Sequence, residues 1–280
     1  MLTNTFTHIQ GIGLKTEADL WNSGIKSWDD FRLAGTDLVS PTRASYINQA
    51  LDEAAGHLPD RPDYFTGLLP ASQHWRIFPH FQNKTAYLDI ETTGLSDSCE
   101  ITTIALYDGK QIRYYVQGEN LDSFPADIMN YDVLVSYNGK TFDVPVINRY
   151  FNIQLSQAHI DLRYVLNNLG IKGGLKGCER QLGLDRGDLD GVDGYMAVIL
   201  WNHYRQTGDR NALETLLAYN IMDTINLEQL MIEAYNRNLS RTPFREKLLP
   251  EAIPPEIPFS PDRKLIAELS AMLRNYPAYH

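Results

Sequence analysis

Between Lys84 and Tyr235 the spacing of apolar residues changes period several times, which predicts strands alternating with helices. Thr85-Ala-Tyr-Leu-Asp-Ile-Glu91 reads as a buried strand. Ile101 to Tyr107 and Gln111 to Gln117 read as two more, joined through Asp108-Gly109, a hairpin signature. Asp132 to Tyr137 is a fourth strand. Helical patterns then take over at Val144–Phe151, Asp161–Leu169, Leu175–Leu182, Tyr195–Thr207 and Asn211–Asn236. Three strands with a hairpin, a crossover to another strand and then packed helices predict an α/β fold with a mixed sheet flanked by helices.

The flanks read differently. Residues 1–75 form helical patterns broken by Gly11, Gly13, Gly24 and Pro41, with a turn-rich stretch from about Leu58 to Pro70. After Ser240, the prolines at 250, 254, 255, 258 and 261 predict an extended arm, because each forbids helix continuation. Lys264 to Leu273 is amphipathic and placed to dock back. The expected organisation is therefore 1–75, 76–238 and 239–280, with no internal repeat.

Composition narrows the classes. With 43% apolar and 21% charged residues, the chain reads as an ordinary globular protein. The opening MLTNTFTHIQGIG lacks the features of a signal peptide, and no apolar run is long enough to cross a bilayer, so no membrane partner is expected. Cys99 and Cys178 stand far apart, without metal or thiol-redox spacing, which points to a reducing cytoplasm. The net charge of −10 excludes a non-specific duplex coat, since proteins that grip long duplexes by phosphate neutralisation are basic. A local carboxylate site that takes a short strand end is compatible with that charge.

Three acidic elements carry the candidate chemistry. Asp89 and Glu91, two apart on a strand, project from one face. Two anions side by side on an apolar strand either emerge into solvent or share a divalent cation. Thr92-Thr93-Gly94-Leu95 directly follows, a small-residue turn that leaves amides and hydroxyls open to a ligand. The second element, Ser136-Tyr-Asn-Gly-Lys-Thr-Phe-Asp-Val-Pro145, ends a strand and begins a helix. There Asp143 suits a helix N-cap, Phe142 the core and Asn138 a turn. The third is Tyr219-Asn-Ile-Met-Asp223 inside a long helix, whose residues four apart share a face. Leu213, Leu217, Ile221 and Ile225 form that helix's core stripe. Asp223 falls off it by about 200°, so a solvated face is the ordinary reading.

Together, and in this order, the motifs resemble the DEDD exonuclease superfamily: D-x-E on a strand, N-x-x-x-F-D before a helix, and Y-x-x-x-D on a late helix. The tyrosine resembles that of the tyrosine-type subgroup. Tyr137 to Pro145 is similar to the proofreading domain of family B DNA polymerases. The stretch from His159-Ile-Asp-Leu through Leu175-Lys176 to Leu227 resembles bacterial RNase H-like predicted exonucleases. The resemblance covers roughly 84–235 and implies an RNase H-like fold. It also implies two Mg²⁺ or Mn²⁺ ions about 4 Å apart at the scissile phosphate. Asp89 would bridge both ions, Glu91 and Asp223 would hold the one that activates water, and Asp143 would serve the other. Tyr219 would orient the water, a phenol near pKa 10 being a poor base at neutral pH. Thr92, Thr93, Gly94 and Leu95 would meet the terminal nucleotide, Leu95 as a wedge, while Phe142 stacks on a base and Asn138 hydrogen-bonds nearby. The implied substrate is the 3′ end of a single-stranded nucleic acid, DNA or RNA, released as nucleoside 5′-monophosphates.

Local charge fits a strand path. From Asn138 to Arg186 seven basic residues (Lys140, Arg149, Arg163, Lys172, Lys176, Arg180, Arg186) face four acids (Asp143, Asp161, Glu179, Asp185). Gly170 to Lys176 either lays amides and lysines along phosphates or is a plain glycine loop. At the N-terminus, Ile9 to Ile25 resembles a helix-hairpin-helix unit, with Ser27 capping the next helix. Lys15 and Lys26 are opposed there by Glu17, Asp19, Asp29 and Asp30, so packing and phosphate binding both remain open. The alternatives to an exonuclease are a nucleic-acid-binding module that has lost turnover and a scaffold docking through its proline arm.

Overall fold

The computed structural model describes residues 1–275 except Asp97, Asp185, Asp190 and Gly191. One sheet is built from β1 (Thr85–Thr92), β2 (Ile101–Tyr107), β3 (Ile112–Val116), β4 (Val133–Ser136) and β5 (Ala158–Asp161), in the order β3-β2-β1-β4-β5. β1 pairs antiparallel with β2 and parallel with β4; β2–β3 is antiparallel and β4–β5 parallel. The mixed sheet and its flanking helices agree with the expected α/β class.

The hairpin forms as predicted. The Asp108 carboxylate accepts from the Lys110 and Gln111 amides at 3.0 and 2.8 Å, and Gly109 adopts φ +84°. Two elements differ from expectation. β5 occupies residues whose last member, Asp161, was assigned to the following helix; four residues are too short for a legible alternation. A helix of five residues, Phe124–Ile128, also forms between β3 and β4, with Pro125 in its first turn.

Among the described residues twelve α-helices surround the sheet. Ahead of it come α1 (Leu14–Asn22), α2 (Trp28–Ala34), α3 (Pro41–His57), α4 (Pro62–Leu68) and α5 (Phe78–Phe81). Thus part of the turn-rich stretch is helical. α6 (Phe124–Ile128) and α7 (Asp143–Phe151) share one buried layer with Ala86, Leu88 and Ile90 of β1. The other sheet face, with Tyr87, Ala105 and Tyr107, packs with α8 (Leu162–Asn168), α9 (Gly174–Leu182), α10 (Gly194–Thr207) and α11 (Arg210–Leu239). α11 runs for 30 residues and crosses β1 and β2. Leu213, Leu217, Ile221 and Ile225 are buried in it as predicted, but Leu216, Ala218, Leu227 and Leu230 are buried too. The helix packs against the sheet, α9 and α10, and the solvated face expected for Asp223 is covered; Asp223 is only 4% exposed.

Both flanks join the same core, which extends from Leu2 to Leu269. Ser27 caps α2 by accepting from the Asp30 amide at 3.1 Å, as the sequence predicts. Glu17, expected among surface acids, is fully buried instead and forms an ion pair with Arg76 at 2.8 Å. The same carboxylate accepts from the Phe6 amide at 2.7 Å and the Thr7 amide at 3.2 Å, fastening the first turn of the chain to the segment before β1. The proline arm is fastened along α11: Asn236 exchanges two hydrogen bonds with the Leu249 main chain at 2.9 and 2.8 Å. The Asp262 amide donates to Thr215, and α12 (Arg263–Asn275) buries Leu265 and Leu269. Among the described residues no helix is long and apolar enough to cross a membrane.

Removing one partner of a buried ion pair leaves an uncompensated charge. Glu17→Ala is therefore expected to cost about 3–5 kcal/mol in denaturant unfolding, while Lys15→Ala, on the exposed side of α1, leaves the midpoint unchanged.

Candidate metal centre

The pleat of β1 sets the centre. Ala86, Leu88 and Ile90 face the α6–α7 layer, so Asp89 and Glu91 face α11 with Tyr87. The β1–β2 register shifts between Glu91 and Thr92, a bulge that ends regular pairing beside the acids. Asp223 approaches from α11, and one carboxylate oxygen from each of Asp89, Glu91 and Asp223 lies within 4.8 Å of the others. Sequence-distant residues thus converge on one point.

Asp143 is the first residue of α7, not its N-cap; Phe142 holds that position. Asp143 stands outside the set of three, yet its charge helps push the Asp89 and Glu91 carboxyls upward. The loop that delivers it is tightly built. Asn138 is left-handed at φ 66°, and a Cβ on Gly139 would lie 2.2 Å from the Ser136 hydroxyl, so only glycine fits. Asp161, at the end of β5, holds this loop by accepting from the Asn138 amide at 2.8 Å and the Lys140 amide at 3.2 Å.

Burial is the main reason that the Asp89 and Glu91 carboxyls are raised well above their ordinary range. The neighbouring carboxylates add to it: Glu91, Asp143 and Asp223 for Asp89, and Asp223 and Asp143 for Glu91. Burial likewise takes Asp143 up to about 7, against main-chain hydrogen bonds that include the Ile90 amide. Asp223 is raised by burial, with Arg186 opposing. Such a cluster is under electrostatic strain until a cation neutralises it. Oxygen-only donors at this spacing fit a hard divalent ion, so the residues suit the metal that the sequence implies.

The surroundings were less legible. Asn220, fully buried, donates to Asp89 Oδ2 at 2.7 Å while its own Oδ1 accepts from Thr103 at 3.0 Å. Its signal was a polar residue inside an apolar helical run. Arg186 pairs with Asp223 and with both oxygens of Glu179, at 2.9 and 2.7 Å, and Asn226 donates to Glu179 at 2.7 Å. Its guanidinium carbon lies 5.5 Å from the centre of the Tyr219 ring. Tyr219 is 3% exposed, and its phenol is pushed far up by burial and by the charges of Asp223, Glu91 and Asp89.

The proposed nucleotide contacts sit at several depths. Thr92 is buried and donates to the Gly94 carbonyl at 2.6 Å, while the Thr93 hydroxyl accepts from the Glu100 amide at 3.0 Å. Both hold the β1–β2 turn. Leu95 on that turn is 88% exposed. Phe142 is half-buried against the α6–α7 layer. Asn138 spends its side-chain carbonyl on Arg163 and on Thr141. Lys176 donates to the Val192 carbonyl and lies 4.8 Å over the Tyr219 ring, so it is drawn inward. Asp185, one of the acids of the basic stretch, lies outside the described residues.

A family model, RNase_H_2 of the RNase H superfamily, matches residues 86–235. No curated protein and no solved structure matches the chain.

Metal binding should stabilise the fold by mass action. Mn²⁺ at 100 times its dissociation constant is expected to add about 2.7 kcal/mol to the wild type, read as a rise in thermal midpoint. Asp89→Asn should show a much smaller rise; an equal rise in that variant would contradict the assignment.

Proposed function

Because the chain belongs to the RNase H superfamily, we propose that it is a two-metal-ion 3′–5′ exonuclease acting on single-stranded nucleic-acid ends. The superfamily and the acidic cluster support a metal-dependent nuclease with a nucleic-acid substrate. The observation that carries the finer reading is the convergence of Asp89, Glu91 and Asp223 within 4.8 Å, with Tyr219 one helical turn from Asp223. Asp89, Glu91 and Asp223 would hold one Mg²⁺ or Mn²⁺, and Asp143 would serve a second beside Asp89. When bound, such ions polarise the phosphodiester and favour ionisation of the attacking water.

The protein's own groups do the rest. With its pKa raised by burial and three carboxylates, Tyr219 keeps its proton and orients water by hydrogen bonding rather than by acting as base. Leu95, which is exposed, would wedge against a terminal base, and Phe142, next to Asp143 in the chain, would stack on one. Stacking of this kind is worth about 1–3 kcal/mol per base and tolerates any sequence. Opening a blunt duplex costs a few kcal/mol, which a chain of net charge −10 has little basic surface to offset. Single strands are therefore the preferred substrate. Free, buried Cys99 and Cys178 suit a reducing compartment such as the cytoplasm. A non-catalytic binding module is the second reading, and the complete carboxylate set speaks against it.

An oligonucleotide labelled at its 5′ end tests the proposal. A ladder of shortening labelled products is expected from the single strand, and slower digestion from the blunt duplex. Immediate release of labelled mononucleotide would reverse the polarity, and no hydrolysis with either metal would favour the binding module. Tyr219→Phe should lower turnover with binding retained. Asp223→Asn should lose more than the about 10–100-fold typical of residues that only support a ligand.

A further inference from the structure

We propose that Glu179 and Arg186 form a charge-neutral positioning pair, which orients Asp223 for metal binding without presenting a net positive charge to the ion. The inference rests on the metal-dependent reading above and deepens it. α11 presents Asp223 and Asn226 three residues apart, hence on one face, and α9 presents Glu179 toward them. Arg186 is the link. It is 5% exposed, engages both Glu179 oxygens, and reaches Asp223 Oδ1 with its other terminal nitrogen. Asn226 also donates to Glu179 Oε1, at 2.7 Å, and Glu179 itself has no exposed surface. A carboxylate has two oxygens with two lone pairs each, so Arg186 can hold Asp223 by Oδ1 while Asp223 still offers an oxygen to the cluster with Asp89 and Glu91.

Charge explains why the arginine comes with a partner. A lone guanidinium on Asp223 would repel any cation sharing that carboxylate, and at 5% and 4% exposure Arg186 and Asp223 are poorly screened by solvent. Glu179 cancels the charge, so Asp223 keeps its negative charge for the ion while losing its rotational freedom. The Arg186 guanidinium also lies over the Tyr219 ring, so the pair braces both Asp223 and Tyr219.

Calorimetric titration of Mn²⁺ into the full chain tests this independently of hydrolysis. Glu179→Gln leaves Arg186 uncompensated and is expected to weaken Mn²⁺ binding about 10–100-fold. The double variant Glu179→Gln/Arg186→Gln removes the excess charge and should regain about tenfold over Glu179→Gln alone, ~1.4 kcal/mol of coupling. A merely structural role predicts the reverse, because damage from two buried substitutions accumulates. Unchanged Mn²⁺ affinity in Glu179→Gln, or a double variant weaker than it, overturns the proposal. Should Glu179→Gln not fold, Arg186→Lys serves: it keeps the charge but cannot span both carboxylates, so weakened Mn²⁺ binding supports the pair and wild-type affinity overturns it. Wild type that binds no Mn²⁺, or Asp223→Asn that binds it equally well, would instead sink the metal reading on which the pair depends.

Discussion

Like charges cannot be gathered in a protein interior without something to offset them, and the structure around β1 is organised by that constraint. Asp89, Glu91 and Asp223 bring carboxylate oxygens within 4.8 Å at the junction of the sheet and its longest helix. Leaving such groups charged and desolvated is costly, which is why burial raises all of them. A fold driven only by stability would place apolar residues there. That it places acids there, and surrounds them with groups that fix their orientation, is the strongest physical argument for a bound cation.

α11 does most of the fixing. Along one helix it carries Tyr219, Asn220, Asp223 and Asn226, and each meets a different part of the centre. Asn220 ties Asp89 to Thr103 on β2, Asp223 enters the cluster, and Asn226 secures Glu179. These polar groups are buried on a helix that is mostly core, so each must find a specific partner. The partners then lock helix against sheet in one register. The proline arm, pinned to the same helix through Asn236 and Thr215, shields its far end from solvent.

Much of this was legible in the sequence because it rests on local periodicity. The alternation of Thr85–Glu91 placed Asp89 and Glu91 on one face, Asp108-Gly109 marked the hairpin, and Ser27 with Asp30 marked a cap; all three are found. What escaped depended on tertiary context. β5 was missed because four residues are too few to show a period. A helical wheel shows angles but not what stands beyond them: the sheet, α9 and α10 pack around α11, and Arg186 covers Asp223. Glu17 and Glu179 entered the sequence reading only as charges to be counted, since nothing local ties them to their buried partners Arg76 and Arg186, 59 and seven residues away along the chain.

Asp161 shows how far this dependence on context reaches. The sequence places it at the start of a helical pattern, as one acid in a basic stretch; it caps α8, accepting from the Arg163 amide at 3.0 Å. The same carboxylate also accepts from the Asn138 and Lys140 amides, so it holds the strained turn that brings Asp143 to the start of α7. Asn138 can take the left-handed conformation at modest cost, and Gly139 admits the Ser136 hydroxyl where any side chain would collide. The turn therefore owes its shape to a strand end two elements later. Asp143 reaches the centre through a buried acid that never touches it as a ligand, just as Asp223 does through Glu179. In both places the supporting carboxylate spends its charge on donors of its own, three amides for Asp161 and a guanidinium for Glu179. The centre gains rigidity at the cost of some added repulsion, since Asp161 helps raise Asp143 and Glu179 helps raise Asp223, and those donors are what each supporting acid has to offset it.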